Sequence, residues 1–346
     1  MRSLIVGDGY SARSFHLPAL EQIAREKAGG REDLPLTGVV EHRLDPRRAA
    51  AGPKWLEFFG SLRETEAYVA ADPVVHVCTP PDAHLPVLAE AVELGYRRFI
   101  IEKPLASNLA DAAEIMRLER QHDLQIVVVA NWLSSTLTRA IKEEIEAGRR
   151  GNVRSLHIFG CKPRIARSLF SDSHRSAFDV EVPHFLALAL HLCGPGSTLQ
   201  RATCDDLIVD ERRIEAMGSA TMLLQAEAGY EALIETHLAS PVRERRIAVE
   251  FEDASKLVGH YPCGSPEIFS QVVRVGADGV PQPPVLLEDN TVYRMISDAY
   301  AYLYGEGPRP ISDTRFHYAV CARLSDAKAS CGMYDRPLLE LSGEAA

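Results

Sequence analysis

The segment Gly7-Asp-Gly9-Tyr-Ser-Ala12 constrains this chain more than any other stretch. It follows a short apolar run, Ser3–Val6, and opens a stretch with helical spacing. A strand that turns into a helix through G-x-G-x-x-A predicts a βαβ unit shaped to hold a dinucleotide. Gly7 permits the tight turn, Gly9 lets the backbone approach a pyrophosphate, and Ala12 keeps the helix close to the sheet. Tyr10 and Ser11 complete the turn, where free N–H groups and the positive end of the helix favour phosphate.

The same alternation continues downstream. Strands are expected at Leu36–Glu41, Val74–Cys78, Phe99–Glu102 and Ile126–Ala130. Most are continuous Val- and Ile-rich runs, as in a parallel sheet covered on both faces. Helices are expected at Leu85–Leu94, ending at Gly95, and at Leu109–Glu119 and Leu137–Ala147. After Gly151 the pattern changes. Val153–Phe159 reads as a strand, and a helix follows near Pro183–Leu192. Further strands are expected at Met222–Ala226, Tyr230–Leu238, Arg246–Glu252 and Ala254–His260. Ile247-Ala-Val249-Glu-Phe251 alternates, as in an antiparallel sheet with one covered face. Helices near Val292–Tyr304 and Phe316–Lys328 close the chain. The reading is an α/β dinucleotide-binding domain over 1–130, followed by an α+β domain over 131–346. A chain of 346 residues suits two cores.

Three segments at expected strand ends carry candidate chemistry. Glu41 is placed to accept hydrogen bonds from ribose hydroxyls. It lies 32 residues beyond Gly9, against a usual spacing of about 20, and the polar stretch Arg25–Asp33 accounts for the excess as an inserted loop. A carboxylate there favours NAD, whereas His42 and Arg43 leave room for the 2′-phosphate of NADP. The other two segments are Cys78-Thr-Pro-Pro-Asp-Ala-His84 and Phe99-Ile-Ile-Glu-Lys-Pro-Leu-Ala106. Both sit where ligands bind in such sheets.

Together these segments resemble the glucose–fructose oxidoreductase/inositol dehydrogenase/MocA (Gfo/Idh/MocA) family. The resemblance rests on the Gly7–Ala12 turn with His16-Leu-Pro18, on Thr79-Pro80-Pro81 with His84, and on Glu102-Lys103-Pro104. It continues through Gly151-Asn152-Val153 and the later sheet. It implies a Rossmann domain with a parallel sheet plus a C-terminal domain with an open, mostly antiparallel sheet, and packing into a homo-oligomer. It also implies hydride transfer to or from sugars, cyclitols or sugar nucleotides with NAD or NADP. Gly7, Gly9, Tyr10, Ser11, Ala12, Glu41, Thr79, Pro80, His84, Glu102 and Lys103 then fall at the cofactor. Lys103 matches the family lysine beside the nicotinamide and the reacting oxygen. His184 matches the family's catalytic histidine, yet the family pattern D-x-G-x-H is replaced. Val180 and Val182 stand where Asp and Gly are usual, and Ala187 follows where an Asp is frequent. Glu181 or Asp179 is left to support His184.

A histidine, with its ordinary pKa of about 6.5, suits taking and returning a proton near neutrality. Lys103 can stabilise negative charge developing on oxygen. Before His184 lie Lys162, Arg164, Arg167, His174 and Arg175. This basic loop reads either as a clamp for a substrate carboxylate or phosphate, or as a plain surface loop.

The net charge of −10 argues against nucleic-acid and membrane-surface partners, which are anionic. No run reaches the length of a membrane span, and no signal peptide is expected. The seven cysteines are scattered, with no CxxC and no four-ligand pattern, so reduced thiols, no metal site and a cytoplasmic location are expected. Two other functions stay open: a reductase of imines or other non-sugar bonds, and a non-catalytic dinucleotide-binding regulator.

Overall fold

The structure is a computed structural model and describes residues 3–27, 37–41, 55–170, 174–264 and 267–333. Two compact units emerge. The first holds β1 (Ser3–Val6), β2 (Thr37–Val40), β3 (Leu56–Phe59), β4 (Val74–Val77), β5 (Arg98–Ile101) and β6 (Gln125–Val128). They form one parallel sheet in the order β3-β2-β1-β4-β5-β6. Between them run α1 (Leu17–Lys27), α2 (His84–Leu94) and α3 (Leu109–Gln121). Gly95 ends α2 with φ 107°, and Asn108 caps α3 by accepting from the Asp111 N–H at 2.9 Å. The strand order reverses beside β1, with β2 on one side and β4 on the other. Ligands bind such sheets there, at the carboxyl ends of the strands.

The second unit begins with α4 (Thr136–Ala147), β7 (Val153–Pro163), the short α5 (Ile165–Phe170) and α6 (Val182–Cys193). It continues through β8 (Thr198–Val209), β9 (Arg212–Gln225), β10 (Glu231–His237), β11 (Ala239–Phe251), β12 (Lys256–His260), β13 (Phe269–Val275) and β14 (Val285–Glu288). The eight strands order as β14-β13-β12-β11-β7-β10-β9-β8. Every pair is antiparallel except β7 with β10. Two helices, α7 (Thr291–Leu303) and α8 (Thr314–Ser330), close the described chain.

Three differences from the sequence reading have physical causes. First, a single division at residue 130 assigns 292–318 to the second domain, but this segment lies in the first unit. Met295, Ile296, Ala299, Tyr300 and Leu303 of α7 enter the same buried cluster as Ile5, Leu20 and Ile23. Second, β3, β8, β13 and β14 are additional strands. β3, β8 and β14 are sheet edges whose residues are mostly partly or fully exposed, and β3 and β14 are only four residues long, too short for a clear strand pattern. Third, β7 runs on to Pro163, so Lys162 stands on a strand, and Arg167 lies on α5. Only part of the stretch expected as a basic loop is loop. Arg43 and His42 lie outside the described residues, as does most of the expected insertion. Among the described residues no helix is long and apolar enough to cross a membrane. No cluster of His, Cys, Asp or Glu among them could hold a metal ion.

Candidate functional site

In the first unit, β1 ends at Val6 and Gly7 takes φ 96°, a backbone conformation natural to glycine. A Cβ at Gly7 would lie 3.1 Å from the backbone of Cys78 and Thr79. The helical segment opens at Tyr10, and the Arg13 N–H bonds the Gly9 carbonyl at 3.1 Å. A Cβ at Gly9 would meet nothing within 4 Å. Ala12 is fully buried, while Tyr10 is 64% exposed and meets Phe15 edge-on. The Asp8 N–H donates to Glu41 Oε2 at 3.0 Å, and the Asp8 carboxylate pairs with Arg13 at 2.9 Å. Glu41 is thereby held at the end of β2 against the turn.

After β4, the Thr79 hydroxyl is buried and makes no hydrogen bond within the described residues. A buried hydroxyl without a partner is costly unless a ligand or water meets it. Open space at Gly9, an unsatisfied hydroxyl at Thr79 and a fixed carboxylate at Glu41 together fit a dinucleotide. Phosphate would lie at the helix start and a ribose hydroxyl on Glu41.

Glu102 and His84, expected at the cofactor, make specific contacts within the protein. Glu102 Oε1 meets His16 Nε2 at 3.0 Å, and Glu102 Oε2 accepts the Lys103 N–H at 3.2 Å. The carboxylate therefore fixes the backbone that carries the Lys103 side chain. His84 is fully buried, with Nδ1 3.1 Å from the Leu105 carbonyl and Nε2 3.0 Å from that of Thr79. Burial lowers its pKa despite those carbonyls. It braces the Thr79 loop against the one after Lys103.

Behind Glu102 runs a buried chain that sequence reasoning missed. His16 Nδ1 lies 2.8 Å from His76 Nδ1, His76 Nε2 lies 2.8 Å from the Tyr300 hydroxyl, and that hydroxyl lies 2.5 Å from Ser3 Oγ. Burial alone would lower the His16 pKa, but Cys78 and Glu102 outweigh it and raise the value to about 10. Burial and the charge on His16 push His76 well down. His16 is thus the cation and His76 is neutral. The proton order follows: His16 donates to His76, His76 Nε2 donates to Tyr300, and Tyr300 donates to Ser3. Because the folded pKa of His16 is raised above about 6.5, its stabilisation is complete below that pH and is lost as pH rises through about 10. Melting temperatures measured from pH 6 to 10 should fall more steeply for the native chain than for His16→Gln. Parallel curves would show that His16 is not charged in the folded state.

In the second unit, His184 lies in the first turn of α6. Of residues 181–190 it is the one not fully buried. Its ring stacks on Trp132 with centroids 5.8 Å apart. Trp132 is 4% exposed and also stacks on Phe185 at 4.9 Å and on Tyr261 at 4.8 Å. The Arg245 guanidinium lies over the same indole, 5.5 Å from its centroid. Glu181 ion-pairs with Lys162 and, at 3.5 Å, with Arg245. Burial would raise the Glu181 pKa, but Arg245, Lys162 and the nearby His184 hold it down to about 2. Glu181 is therefore a fixed anion among cations as well as a neighbour of His184. Asp179, the other carboxylate considered, pairs with Lys328 at 2.7 Å and caps the turn at Ser176. His191 Nδ1 makes no hydrogen bond among the described residues, and burial followed by Lys142 lowers the His191 pKa to about 4. Trp132 and Arg245 gave no signal in the sequence, because only the fold brings them to α6.

Comparison with known proteins agrees with this architecture. Residues 1–130 match the family model GFO_IDH_MocA, described as an oxidoreductase family with an NAD-binding Rossmann fold. An uncharacterized oxidoreductase of Schizosaccharomyces pombe is 27% identical over 157 residues, 44% of this chain and 40% of that relative. The uncharacterized oxidoreductase YhhX of Escherichia coli is 25% identical over 151 residues, 43% of this chain and 40% of that protein. The match thus spans 40% of the length of these relatives. Among solved structures, KijD10, a 3-ketoreductase from Actinomadura kijaniata in complex with NADP and TDP-benzene, aligns with a TM-score of 0.77 at 16% identity. That alignment covers 97% of this chain and 99% of KijD10. An oxidoreductase from Thermotoga maritima aligns with a TM-score of 0.74 at 16% identity, covering 96% and 97%. At such identities the likeness is one of fold.

Proposed function

We propose, from the match of residues 1–130 to the Gfo/Idh/MocA oxidoreductase model with its NAD-binding Rossmann fold, that this chain transfers a hydride to or from a small polar substrate such as a sugar, cyclitol or sugar nucleotide. The observation that carries this reading is the cradle at the end of β1: open space at Gly9, the unsatisfied Thr79 hydroxyl and Glu41 tied to the Asp8 N–H. The dinucleotide, when bound, accepts or donates the hydride. The chain's own residues bind, orient and move the proton. Lys103 stabilises charge developing on the reacting oxygen. Glu102 fixes the backbone at Lys103, with His16 behind it. In the oxidising direction His184 takes the hydroxyl proton, and in the reducing direction it returns it.

NAD is the preferred cofactor in this reading, since the Glu41 carboxylate repels a 2′-phosphate. The NADP in KijD10 belongs to that protein. Calorimetric titration of the purified chain should show NADH binding with a lower Kd than NADPH. The reverse order would overturn the Glu41 argument, and no binding of either would remove the whole reading. Gly9→Val should weaken NADH binding by at least about tenfold, the weight of one lost charge-assisted contact. The melting temperature should hardly change, because no protein atom stands where the new side chain begins. Unaltered binding in this variant would mean that the pyrophosphate lies elsewhere.

A further inference from the structure

We propose that Lys162, Arg164 and Arg245, gathered about Glu181 beside His184, form a subsite for an anionic group of the substrate, a carboxylate or a phosphate. This deepens the reading of His184 as the proton carrier and rests on it.

Three cations meet near Glu181 among the described residues. Lys162 and Arg245 share its carboxylate, and Arg164 adds a third cation close enough to feel both Glu181 and Arg167. Arg164 is 6% exposed. Its side chain meets His174 Nδ1 at 3.2 Å, and its Nε is buried without a hydrogen bond among the described residues. Burial and the charge of Arg167 both disfavour its cationic form, and Glu181 only partly offsets them. A guanidinium does not lose its proton in proteins. The N–H unsatisfied among the described residues therefore remains on a buried cation, in a chain whose overall charge is −10. Burying such a charge is expensive unless an opposite charge completes it. The planar fork of an arginine matches the oxygens of a carboxylate or a phosphate.

Position links this subsite to the chemistry. Glu181 directly precedes α6, which carries His184 in its first turn, and its carbonyl accepts the His184 N–H at 3.0 Å. The Trp132 ring carries both the Arg245 guanidinium and the His184 imidazole. An anion held by the cations would bring the rest of the molecule to His184. Charge recognition of this kind substitutes for the aspartates missing around the histidine: the substrate is gripped by its own charge.

The test is calorimetric titration of the full chain with four probes: glucose, glucuronate, glucose 6-phosphate and inorganic phosphate. Glucuronate or glucose 6-phosphate should bind at least about tenfold more tightly than glucose, in line with one or two charge-assisted hydrogen bonds. Whichever of the two binds tighter identifies the anion as a carboxylate or a phosphate. Free phosphate should compete with the tighter probe. Lys162→Gln and Arg164→Gln should each remove most of that preference while glucose binding stays as it was. If Arg164→Gln fails to fold, Lys162→Gln and Arg245→Gln keep the test open, because their side chains are partly exposed. Equal binding of charged and neutral sugars, or a preference that survives these substitutions, overturns the proposal. NADH titrated into the same samples separates the two readings. NADH binding without anion preference sinks the subsite alone, whereas loss of NADH binding sinks the oxidoreductase.

Discussion

Replacing His184 by alanine should lower kcat by about 10²–10⁴-fold, the usual weight of a positioned acid–base group. Lys103→Ala should lose about 10²–10³-fold through lost stabilisation of charge on oxygen. The rates would be followed by NAD(P)H absorbance on whichever member of a panel of sugars, cyclitols, sugar acids and sugar nucleotides the native chain turns over. The Kd for NADH should stay nearly constant in His184→Ala, because this residue is assigned to the proton and not to the pyrophosphate. The structural basis is specific. His184 is the one partly exposed residue in an otherwise buried stretch, and its ring rests on an indole that three other groups hold in place. Turnover within about threefold of the native rate in His184→Ala would end the assignment, since it lies far below the acid–base range. A chain that binds NADH but turns over nothing in the panel would point to the regulator reading.

Gly160→Ala should destabilise the second unit by about 3 kcal/mol or more, the upper range for overpacking a tight core. A Cβ at Gly160 would stand 2.1 Å from Phe185 Cζ and 2.6 Å from Cε2. Those atoms belong to a fully buried ring stacked on Trp132. Phe185 adjoins His184 in sequence, so displacing its ring also displaces the start of α6. Denaturant unfolding should show the loss of stability, and the remaining folded protein should have reduced kcat. Phe185→Leu in the Gly160→Ala background should recover part of both, because the clash involves the far edge of the ring. A Gly160→Ala protein as stable as the native chain would show that α6 does not pack on β7 as described.

Much of this architecture was legible from local pattern. Val74, Val75 and Val77, like Phe99–Ile101, are apolar because parallel strands are covered on both faces, and that signature needs no knowledge of the partner strand. The Gly7 turn was legible for a similar reason: its backbone demands glycine wherever it occurs. β3, β8 and β14 were not legible: β3 and β14 span only four residues, and β8 is an exposed edge strand with one neighbour and few apolar residues. The membership of 292–318 in the first unit was equally hidden. An amphipathic helix announces that it will cover something, without saying which sheet.

The candidate site divides along the same line. The sequence by itself pointed to the residues whose proposed role follows from their own turn or strand end: Gly7, Gly9, Glu41, Thr79 and Lys103. Their geometry is set within a few residues of chain, by backbone conformation and the parallel-sheet rule. Tertiary structure alone decided what the acids and histidines do. Glu102 reads as a ligand contact until His16 is seen against it. His84 reads the same way until the Thr79 and Leu105 carbonyls close on its ring. Glu181 reads as a partner of His184 alone, and the fold adds Lys162 and Arg245, which reach it from β7 and β11. The role of an ionisable group depends on the charges and dipoles within a few ångströms and on its depth from water. Residues far apart in the chain set both, and only the folded molecule brings them together.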